Sequence, residues 1–580
     1  MNQSRPTPQQ IYQSWCAQDK LLADDRTRLT AIQDNAAEIE DCFYRDLEFG
    51  TGGVRGILGM GTNRMNRYTV RLTAQGLADY VKTQNGCEAG VVIGRDTRHF
   101  SDVFANETAR VLAANGIKVY LFDTVHATPE VSFAVRYYKA AAGVMITASH
   151  NPKEYNGFKA YGADGGQFPP EGSDMLVKAM KSYDIFDDVA VIDDAALAAS
   201  PLIVHIGEAV DEAFLQAVQA VSINPEAVEK VADDFKVVYT PFHGVGLRPV
   251  TEILSRIGVK HIIVEPVQAE PDPNFSSVKS PNPEEKEGFA AAIELAKKEG
   301  ASLIIGTDPD ADRVGVVVRD AEGEYQILTG NQIGALLCEY VLSAKQAKGL
   351  LTPKSTLINT VVTAELAQAI AEHYGAQIVS VLTGFKYIGE KIAEFEQSGS
   401  NVYEFGFEES YGYLPGTYAR DKDAVGASML IAEMAAVYQA RGMTLYDALQ
   451  ELFEKYGYYR EKTISVALPG KDGMEKMNAI MSGIRENMPD KFGDIGIAVK
   501  QDFLQNKQYN SDGTTCIVGD YPPSDVLKFR LEDGVTFVAI RPSGTEPKIK
   551  LYLGTAAPTA QAAEHQVSFI MGAVRGHLGV

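Results

Sequence analysis

The amino-acid sequence predicts an α/β protein of three related α/β domains with mixed sheets, followed by a smaller α+β domain at the C-terminus. Short β-branched runs alternate with longer helical patterns, as in the strand at 91–93, the helical segment 103–115 and the strand at 118–122. A strand followed by a polar turn recurs at domain-sized spacing, unlike the short period of a solenoid. These three units lie at 94–98, 240–244 and 359–363. The residues after about 457 show strand patterns with fewer helices, which predicts the α+β domain.

Length, composition and charge limit the class of protein. The chain of 580 residues corresponds to about four domains of ordinary size. Hydrophobic residues make up 45% and charged residues 22%, as in globular proteins and unlike disordered or fibrous ones. The 54 basic and 76 acidic residues leave a net charge of -22, so we expect neither nucleic acid nor an anionic membrane surface as a partner.

The cysteines and the N-terminal residues predict a cytoplasmic protein. Five cysteines are scattered along the chain without C-x-x-C spacing, which argues against a disulfide framework and a zinc site. Residues 1–6 lack the apolar run of a signal peptide, and no apolar stretch is long enough to span a bilayer. We therefore expect a reducing compartment.

Changes in composition predict three domain boundaries. An acidic, irregular stretch at 184–194 is followed by Pro201, the segment 322–324 predicts a turn, and Gly457 follows a helical pattern. We therefore expect domain I at 1–205, domain II at 206–320, domain III at 321–456 and domain IV at 457–580.

One helix of domain II has a predicted start and end. Asn282 and Pro283 have the residue types of an N-cap and a first helical position, and Gly300 is typical of a helix end. Apolar residues at helical spacing lie between them. We therefore predict a helix that begins after Asn282 and ends at Gly300.

The first motif with chemical potential follows the strand at 143–147. Ser149 lies at the carboxyl end of this strand, where α/β folds keep their ligand sites, with His150 and Lys159 as nearby donors. The structural alternative is a capping serine in an Asn-Pro turn. A serine hydrolase is disfavoured, because the G-x-S-x-G pattern is absent around Ser149.

The second motif is a run of three aspartates after the apolar strand at 303–305. In an extended chain Asp308, Asp310 and Asp312 point the same way, so their carboxylates converge and would repel one another. A hard divalent cation with oxygen ligands removes that cost, and three carboxylates leave positions open for catalysis. Arg313 stands where an EF-hand needs glycine, which leaves a solvated acidic turn as the alternative.

The third motif, at 541–550, lies between two predicted strands. Arg541, the hydroxyls of Ser543 and Thr545, the amide of Gly544 and the charge of Lys550 predict a phosphate-binding loop. A plain hairpin loop is the alternative. No Walker A motif is present, and the glycines at 59–61 do not complete a dinucleotide fingerprint, which disfavours an NTPase or a dehydrogenase.

The fourth motif is a glycine-bounded loop at 406–412. Glu408 and Ser410 offer a carboxylate and a hydroxyl that suit the vicinal hydroxyls of a sugar. Shortly after it, Lys422 could bind phosphate or move a proton. A solvated loop is the alternative explanation.

In this order the four motifs resemble the α-D-phosphohexomutase superfamily, over residues from about 49 to 553. The resemblance implies a central active-site cleft in which Ser149 is phosphorylated and the three aspartates, together with Ser149, bind one Mg²⁺. The motif at 49–56 looks like the opening motif of the family, and the segment 383–386 looks like its third-domain threonine-glycine loop. The resemblance implies the following further residues: Arg55 in the active site; Thr383, Gly384, Glu408 and Ser410 at the sugar; and Arg541, Ser543, Gly544 and Thr545 at the phosphate, with the charge of Lys550 beside them. From its place beside the aspartates, we expect Arg313 to steady the transferring phosphoryl group. The acid/base candidates, which the sequence does not rank, are His150, Lys159 and Lys422.

The double glutamate Glu408-Glu409 is closer to the phosphoglucomutase pattern than to that of bacterial phosphomannomutases. Phe407 stands where glycine is usual in the family. The resemblance therefore implies a magnesium-dependent phosphoglucomutase with glucose 1,6-bisphosphate as intermediate and activator, monomeric or weakly dimeric. Phosphomannomutase, phosphopentomutase and glucose-1,6-bisphosphate synthase are alternatives within the family. Outside it, the alternatives are a phosphatase and a regulator that binds sugar phosphates without turnover.

Overall fold

The computed structural model describes residues 5–50, 53–468, 473–543 and 548–579. The chain divides into two compact units. The first contains residues 1–329, 388–399 and 410–444, and the second contains 330–387, 400–409 and 445–580. Both units combine sheets with flanking helices, so the predicted α/β fold class is confirmed. Across the described ranges, no helix has the length and apolar character needed to cross a bilayer.

Three helices precede the first sheet and pack around Trp15. They are α1 (Pro8–Cys16), α2 (Ala23–Ala31) and α3 (Ala36–Phe43). The Trp15 ring is 3% exposed and makes edge contacts with Phe43, Tyr68 and Phe186. Because Tyr68 and Phe186 lie outside these helices, the aromatic contacts attach the helices to the rest of the first unit.

A seven-stranded mixed sheet organises residues 49–206 of the first unit. Its elements are β1 (Phe49–Gly50), β2 (Gly53–Ile57), α4 (Arg67–Thr83), β3 (Val91–Arg95), α5 (Ser101–Ala114), β4 (Val119–Phe122), α6 (Thr128–Tyr138), β5 (Ala142–Ile146), β6 (Tyr155–Gly162), α7 (Pro170–Ser182), α8 (Asp194–Ala199) and β7 (Ile203–Ile206). The strand order is β1-β2-β6-β5-β3-β4-β7, in which β5, β3, β4 and β7 are parallel. Arg95 pairs with Ile146, so β3 and β5 end side by side. The loops that follow these two strands therefore lie next to each other.

A five-stranded mixed sheet organises the next part of the first unit. Its elements are α9 (Glu208–Gln219), α10 (Pro225–Val231), β8 (Lys236–Thr240), α11 (Leu247–Arg256), β9 (His261–Val264), α12 (Pro266–Ala269), α13 (Ala290–Glu299), β10 (Leu303–Thr307), β11 (Val314–Arg319) and β12 (Tyr325–Ile327). The strand order is β12-β11-β10-β8-β9. The loop between the antiparallel strands β10 and β11 carries the three aspartates.

The helix predicted after Asn282 begins later than expected. A short 3₁₀ turn at Lys286–Phe289 leads into α13, which ends at Gly300 in a left-handed conformation, as predicted. The Asn282 side chain accepts from the amide of Glu284 at 3.2 Å, and its carbonyl accepts from the amide of Glu285 at 2.9 Å. Asn282 thus closes a local turn that does not continue as a helix.

Residues 330–456 contribute to both units. Their elements are α14 (Gly330–Ala347), β13 (Ser355–Thr360), α15 (Leu366–His373), β14 (Gln377–Val381), α16 (Phe385–Ser398), β15 (Val402–Glu408), β16 (Gly412–Leu414), α17 (Ala424–Gln439) and α18 (Leu445–Tyr456). In the second unit, β13 lies between β14 and β15 and is parallel to both. In the first unit, α17 is almost entirely buried and packs against α9, α10 and α11.

An antiparallel sheet with two helices completes the second unit. Its elements are β17 (Tyr458–Ala467), α19 (Gly473–Glu486), β18 (Lys491–Phe492), β19 (Ile495–Asp502), β20 (Lys507–Asn510), β21 (Thr515–Cys516), β22 (Leu527–Leu531), β23 (Phe537–Pro542), β24 (Lys548–Ala557) and α20 (Ala560–Leu578). Met481 of α19 and Ile570 of α20 share a buried core with Phe529 and Leu551 of the sheet. The smaller C-terminal α+β domain predicted from the sequence is confirmed.

Candidate active site

Ser149 lies in the loop directly after β5. Its φ of 52° places it in the left-handed region, which is uncommon for a residue other than glycine, and it is 1% exposed. Its Oγ donates a hydrogen bond to Oδ2 of Asp308 at 2.7 Å and lies 3.1 Å from Nδ1 of His150. The serine singled out in the sequence is therefore hydrogen-bonded to the first of the three aspartates.

The three aspartates are buried and close together. Oxygen atoms of Asp308, Asp310 and Asp312 lie within 4.8 Å of one another. The extended chain that we expected here is wrong: the loop is a turn, in which Ala311 has a φ of 51° and its amide donates to the Asp308 carbonyl at 2.9 Å. Oδ1 of Asp308 accepts from the amides of Asp312 and Arg313 at 3.1 and 2.9 Å. The turn, and not strand alternation, brings the carboxylates together.

This cluster fits a divalent cation. Oδ1 of Asp310 and Oδ1 of Asp312 are buried and have no hydrogen-bond partner among the described residues. A buried carboxylate oxygen without a partner is costly, and a hard cation with oxygen ligands offsets that cost. Burial and the charges of Asp310 and Asp312 raise the pKa of Asp308 well above its usual value. The donor set and its unpaired oxygens therefore suit a metal ion such as Mg²⁺ or Ca²⁺.

Two lysines approach the same carboxylates. Nζ of Lys159, on β6, donates to Oδ2 of Asp310 at 2.6 Å and to Oδ2 of Asp312 at 2.8 Å. Burial alone would lower the pKa of Lys159, but the two carboxylates outweigh it and raise the pKa. Nζ of Lys422 lies 3.3 Å from Oδ2 of Asp312 and 3.1 Å from Oδ1 of Asp421. Lys159 therefore keeps its proton and balances the charge of the aspartates.

His150 and two arginines surround the serine loop. Burial and the nearby charges of Arg313 and Arg55 hold the pKa of His150 well below its usual value, so its ring is neutral at pH 7. Arg313 donates to Oε1 of Glu284 at 2.9 Å, and Arg55, on β2, lies 3.5 Å from Oδ1 of Asn151. We call the following residues of the first unit the serine–aspartate group: Ser149, His150, Lys159, Asp308, Asp310, Asp312 and Lys422.

The second unit brings other predicted residues together. Glu408 is buried at the end of β15, and its Oε1 accepts from the amide of Gly384 at 2.8 Å. Gly384 has a φ of 126°, a conformation that favours glycine. The hydroxyl of Thr383 is buried and has no hydrogen-bond partner within the described ranges. The glutamate and the threonine-glycine loop therefore form one polar cluster.

Arg541 and Lys550 pair across β23 and β24. The Arg541 side chain lies close to the Tyr552 hydroxyl and partly opposes the rise in its pKa that burial causes. Burial and the charge of Glu408 raise the pKa of Glu409 to about 7, and Lys550 partly opposes this shift. The second unit therefore combines cationic and acidic side chains. We call Thr383, Gly384, Glu408, Arg541 and Lys550 the glutamate–arginine group.

The remaining predicted residues lie apart from these clusters or outside the described residues. Ser410 belongs to the first unit, next to Tyr411, whose carbonyl accepts from the amide of Val314. Ser543 donates its amide to the Lys548 carbonyl at 2.8 Å. Gly544 and Thr545 lie outside the described residues.

Four family models match the chain in order. They describe alpha/beta/alpha domains I, II and III and the C-terminal domain of phosphoglucomutase/phosphomannomutase, and they match residues 46–185, 212–323, 329–456 and 469–570. The chain belongs to the phosphoglucomutase/phosphomannomutase family. The family resemblance of the four motifs is thereby confirmed.

Two curated members of the phosphoglucomutase/phosphomannomutase family illustrate the extent of the similarity. The phosphoglucomutase of Staphylococcus haemolyticus strain JCSC1435 is 38% identical over 524 residues, 89% of this chain and 91% of that protein. The phosphoglucomutase of Staphylococcus aureus strain bovine RF122 / ET3-1 is 38% identical over 528 residues, 91% of this chain and 92% of that protein. The similarity therefore extends over about nine-tenths of both chains.

Solved structures of the phosphoglucomutase/phosphomannomutase family share the fold. Parafusin of Paramecium, in its open form, aligns over 92% of this chain and 95% of its own with a TM-score of 0.67 and 15% identity. A phosphoglucomutase/phosphomannomutase family protein of Burkholderia thailandensis aligns over 91% and 97% with a TM-score of 0.62 and 18% identity. At these identities the similarity concerns the fold alone.

Sequence reasoning missed one residue that touches the aspartate cluster of this phosphoglucomutase/phosphomannomutase family member. Thr128 begins α6, and its hydroxyl donates to Oδ2 of Asp310 at 2.8 Å while its amide donates to the Asp310 carbonyl at 2.9 Å. The Thr-Pro pair at 128–129 is a helix-start signal, and nothing in it points to a partner 182 residues away. The contact depends on the packing of the two sheets.

Proposed function

We propose that this chain is a phosphoglucomutase, which interconverts glucose 1-phosphate and glucose 6-phosphate through phospho-Ser149 and glucose 1,6-bisphosphate. The observation that carries the proposal is the 2.7 Å hydrogen bond from Ser149 Oγ to Asp308, within a cluster of three buried carboxylates. A phosphoryl carrier needs a hydroxyl beside a metal site, because the transferring group is strongly anionic. The names of the staphylococcal relatives support glucose phosphates as substrates.

Asp308, Asp310 and Asp312 would hold one Mg²⁺, and the phosphate on Ser149 would supply a further ligand. The two unpartnered carboxylate oxygens of Asp310 and Asp312 support this assignment. The bound ion supplies electrostatic stabilisation of the charge on the transferring phosphoryl group. The cations of Arg313 and Arg55, near the serine loop, add to that stabilisation.

The transfer exchanges one phosphorus–oxygen bond for another. The bond between phosphorus and Ser149 Oγ breaks, and the phosphorus bonds to a hydroxyl oxygen of the sugar monophosphate. The sugar hydroxyl loses a proton and Ser149 Oγ gains one, so the charges balance. The bisphosphate then reorients, and the reverse exchange returns its other phosphoryl group to Ser149. Both half-reactions therefore use the same serine.

His150 is the acid/base that we propose for the serine oxygen. Its neutral ring lies 3.1 Å from Ser149 Oγ and can exchange a proton with it. Lys159 is held between two carboxylates at 2.6 and 2.8 Å, so we assign it the role of a fixed cation. Lys422, which is bonded to Asp421 and close to Asp312, takes the same electrostatic role.

The sugar and its second phosphate would contact residues that the family resemblance assigns. Glu408, with Ser410 and the Thr383-Gly384 loop, would bind the sugar hydroxyls, and the buried, unpartnered hydroxyl of Thr383 in the described structure supports this role. The phosphate that does not react would be bound by a cationic loop made of Arg541, Ser543, Gly544, Thr545 and Lys550. Glu408 would thus discriminate between sugars by the stereochemistry of their hydroxyls, and Arg541 would bind the charge of the phosphate.

The four domains 1–205, 206–320, 321–456 and 457–580 are part of the proposal. The order of the four matched family regions supports this division. A cytoplasmic location and a monomeric or weakly dimeric state remain predictions from the sequence.

The test is turnover on glucose, mannose and ribose 1-phosphates with glucose 1,6-bisphosphate present. We expect the highest kcat/KM on glucose 1-phosphate. A preference for the mannose or ribose compound would reassign the enzyme within its family, and release of inorganic phosphate as the main product would make it a phosphatase. Binding of sugar phosphates without turnover would make the chain a regulator.

A further inference from the structure

The loop after β3 contains a buried ion pair that belongs to neither group described above. The side chains of Asp96 and Arg98 are both fully buried, and Nε of Arg98 lies 3.3 Å from Oδ2 of Asp96. Burial of two charges is costly unless both find further polar partners. The partners of this pair therefore indicate what it does.

Arg98 bonds to the backbone of the serine loop. One end of its guanidinium donates to the carbonyl oxygen of Ser149 at 2.5 Å and to that of Asn151. The other end donates to the carbonyls of Pro152 at 2.8 Å and Tyr155 at 3.1 Å. A planar fork with several donors can hold four carbonyls at once, which a lysine ammonium cannot do in the same geometry.

Asp96 reaches the same serine from its other side. The Thr147 side chain lies next to the Asp96 carboxylate, and Oγ1 of Thr147 accepts from the amide of Ser149 at 2.9 Å. Asp96 is itself fixed by the Arg98 amide at 2.9 Å and the Ser101 hydroxyl at 2.7 Å. The carbonyl of Ser149 is thus bonded directly to Arg98, and its amide is bonded to Thr147, which adjoins Asp96.

Ser149 needs such a restraint, because its left-handed φ of 52° is disfavoured for an L-residue. We propose that the Asp96–Arg98 pair is a positioning device that holds Ser149 in this conformation and so aims its Oγ at the metal and the transferring phosphoryl group. This inference rests on the proposed function and assigns two positioning residues to it. Neither side chain touches the reacting atoms in the described structure.

Two variants test the device. Arg98→Lys keeps the charge but loses the fork. The double variant Asp96→Asn with Arg98→Met removes the pair without leaving an unpaired buried charge. The matched control is Asp41→Asn with Arg64→Met, since Arg64 is also buried, pairs with Asp41 and bonds to the carbonyls of Asp41 and Asn63. This control pair lies in the same unit and makes no contact with the serine loop in the described structure.

Three properties are measured on each protein: the melting temperature, the phosphoserine content after incubation with glucose 1,6-bisphosphate, and kcat and KM. We expect the double variant to lose about a hundredfold in kcat and most of its phosphoserine, because a small misplacement of a reacting group has an effect of that order. Its KM should change little, because substrate binding is assigned to other residues. Arg98→Lys should recover part of the loss, and the control should retain kcat even where its melting temperature falls.

The outcomes separate this inference from the function on which it rests. A double variant with the kcat and phosphoserine content of the control would overturn the positioning role while leaving the mutase intact. A loss that only follows the unfolded fraction would also overturn it. A wild-type chain that accepts no phosphoryl group from the bisphosphate would reject the positioning role and the proposed function together.

Discussion

The serine–aspartate group and the glutamate–arginine group are held in place by different interactions. In the first, the Asp310 and Asp312 carboxylates meet the Lys159 ammonium at 2.6 and 2.8 Å, and the Ser149 hydroxyl meets Asp308 at 2.7 Å. In the second, Glu408 accepts a hydrogen bond from the Gly384 amide. The hydroxyl of Thr383 has no partner in the described chain. In the first group the Oδ2 atoms of Asp310 and Asp312 are paired with a cation before any ligand binds, whereas the Thr383 hydroxyl of the second group is available to a ligand.

This difference corresponds to a division between catalysis in the first group and substrate recognition in the second. Charges that are fixed in advance around a reacting atom stabilise a transition state without rearrangement. Polar atoms left without protein partners are satisfied only by a ligand with the matching hydroxyls or phosphate. We therefore expect substitutions in the serine–aspartate group to affect the rate on all substrates. Substitutions in the glutamate–arginine group should affect binding and selectivity.

Ser149→Ala has the largest expected effect. Normal activity in this variant would contradict the assignment of catalysis to the serine–aspartate group. The substitution removes the proposed carrier, so turnover should fall by at least about 10⁴-fold while the fold is retained. Turnover and intact mass measure this, with Ser173→Ala on α7 as a matched control. Near-normal activity in Ser149→Ala would show that the serine–aspartate group is not the chemical centre.

Asp310→Asn tests whether the three aspartates bind a metal ion. The substitution removes one charged ligand, so the Mg²⁺ concentration for half-maximal activity should rise and turnover should fall, each by about 10- to 100-fold. A Mg²⁺ titration of activity measures both, with Asp320→Asn directly after β11 as the control. An unchanged Mg²⁺ dependence, or full activity after chelation, would place the metal elsewhere.

Arg541→Ala and Glu408→Gln sharpen the comparison within the glutamate–arginine group. Loss of the Arg541 fork removes a charge-assisted contact of about 1.5 to 3 kcal/mol, or roughly a ten- to hundredfold loss in kcat/KM on every phosphosugar. Glu408→Gln keeps an acceptor for the Gly384 amide but alters contacts to hydroxyls, so discrimination between glucose and mannose phosphates should narrow. Steady-state kinetics on both sugars decide: an Arg541 defect confined to one sugar, or an equal Glu408 defect on both, would reverse the roles.

Glu409 gives the smallest expected effect, on the stability of the second unit. Burial and Glu408 raise its pKa to about 7, so the folded state binds this proton more tightly than the unfolded state does. The stabilisation is present in full below the ordinary pKa of a glutamate, about 4.5, and is lost as the pH rises through about 7.

Urea unfolding at pH 5.5 and pH 8 measures this effect. Between pH 5.5 and pH 8 the Glu409→Gln variant should lose less stability than the wild type does, because the amide cannot ionise. Glu372→Gln, on the exposed face of α15, is the matched control and should keep the wild-type pH dependence. The same pH dependence in wild type and Glu409→Gln would exclude Glu409 as its source.

The predicted parts of this molecule are those that the sequence carries in continuous segments. The alternation of strands and helices predicts the α/β fold, and Ser149 and the three aspartates each follow a strand within one short motif. In α/β folds the ligand-binding side chains lie at the carboxyl ends of strands. A motif within one segment of sequence is therefore sufficient to predict such residues. The predicted start of α13 was wrong for a local reason as well, because Asn282 closes a turn that does not continue as a helix.

The unpredicted parts depend on contacts between distant segments. Thr128 meets Asp310 across 182 residues and Arg98 meets Ser149 across 51, and no spacing rule within one segment indicates either contact. The choice among acid/base candidates has the same origin. The pKa of His150 falls because burial and two arginines act on it, which only the folded chain shows.

A single-turnover experiment tests the central claim that Ser149 carries the phosphoryl group. Enzyme isolated with phosphoserine is mixed with an equal amount of glucose 1-phosphate, and intact mass and sugar products are followed in time. The account predicts that the mass of one phosphoryl group leaves Ser149 as glucose 1,6-bisphosphate forms, and that it returns as glucose 6-phosphate appears. Conversion of glucose 1-phosphate to glucose 6-phosphate while the phosphoserine content stays constant, or by enzyme that carries no phosphoserine and receives no bisphosphate, would contradict it.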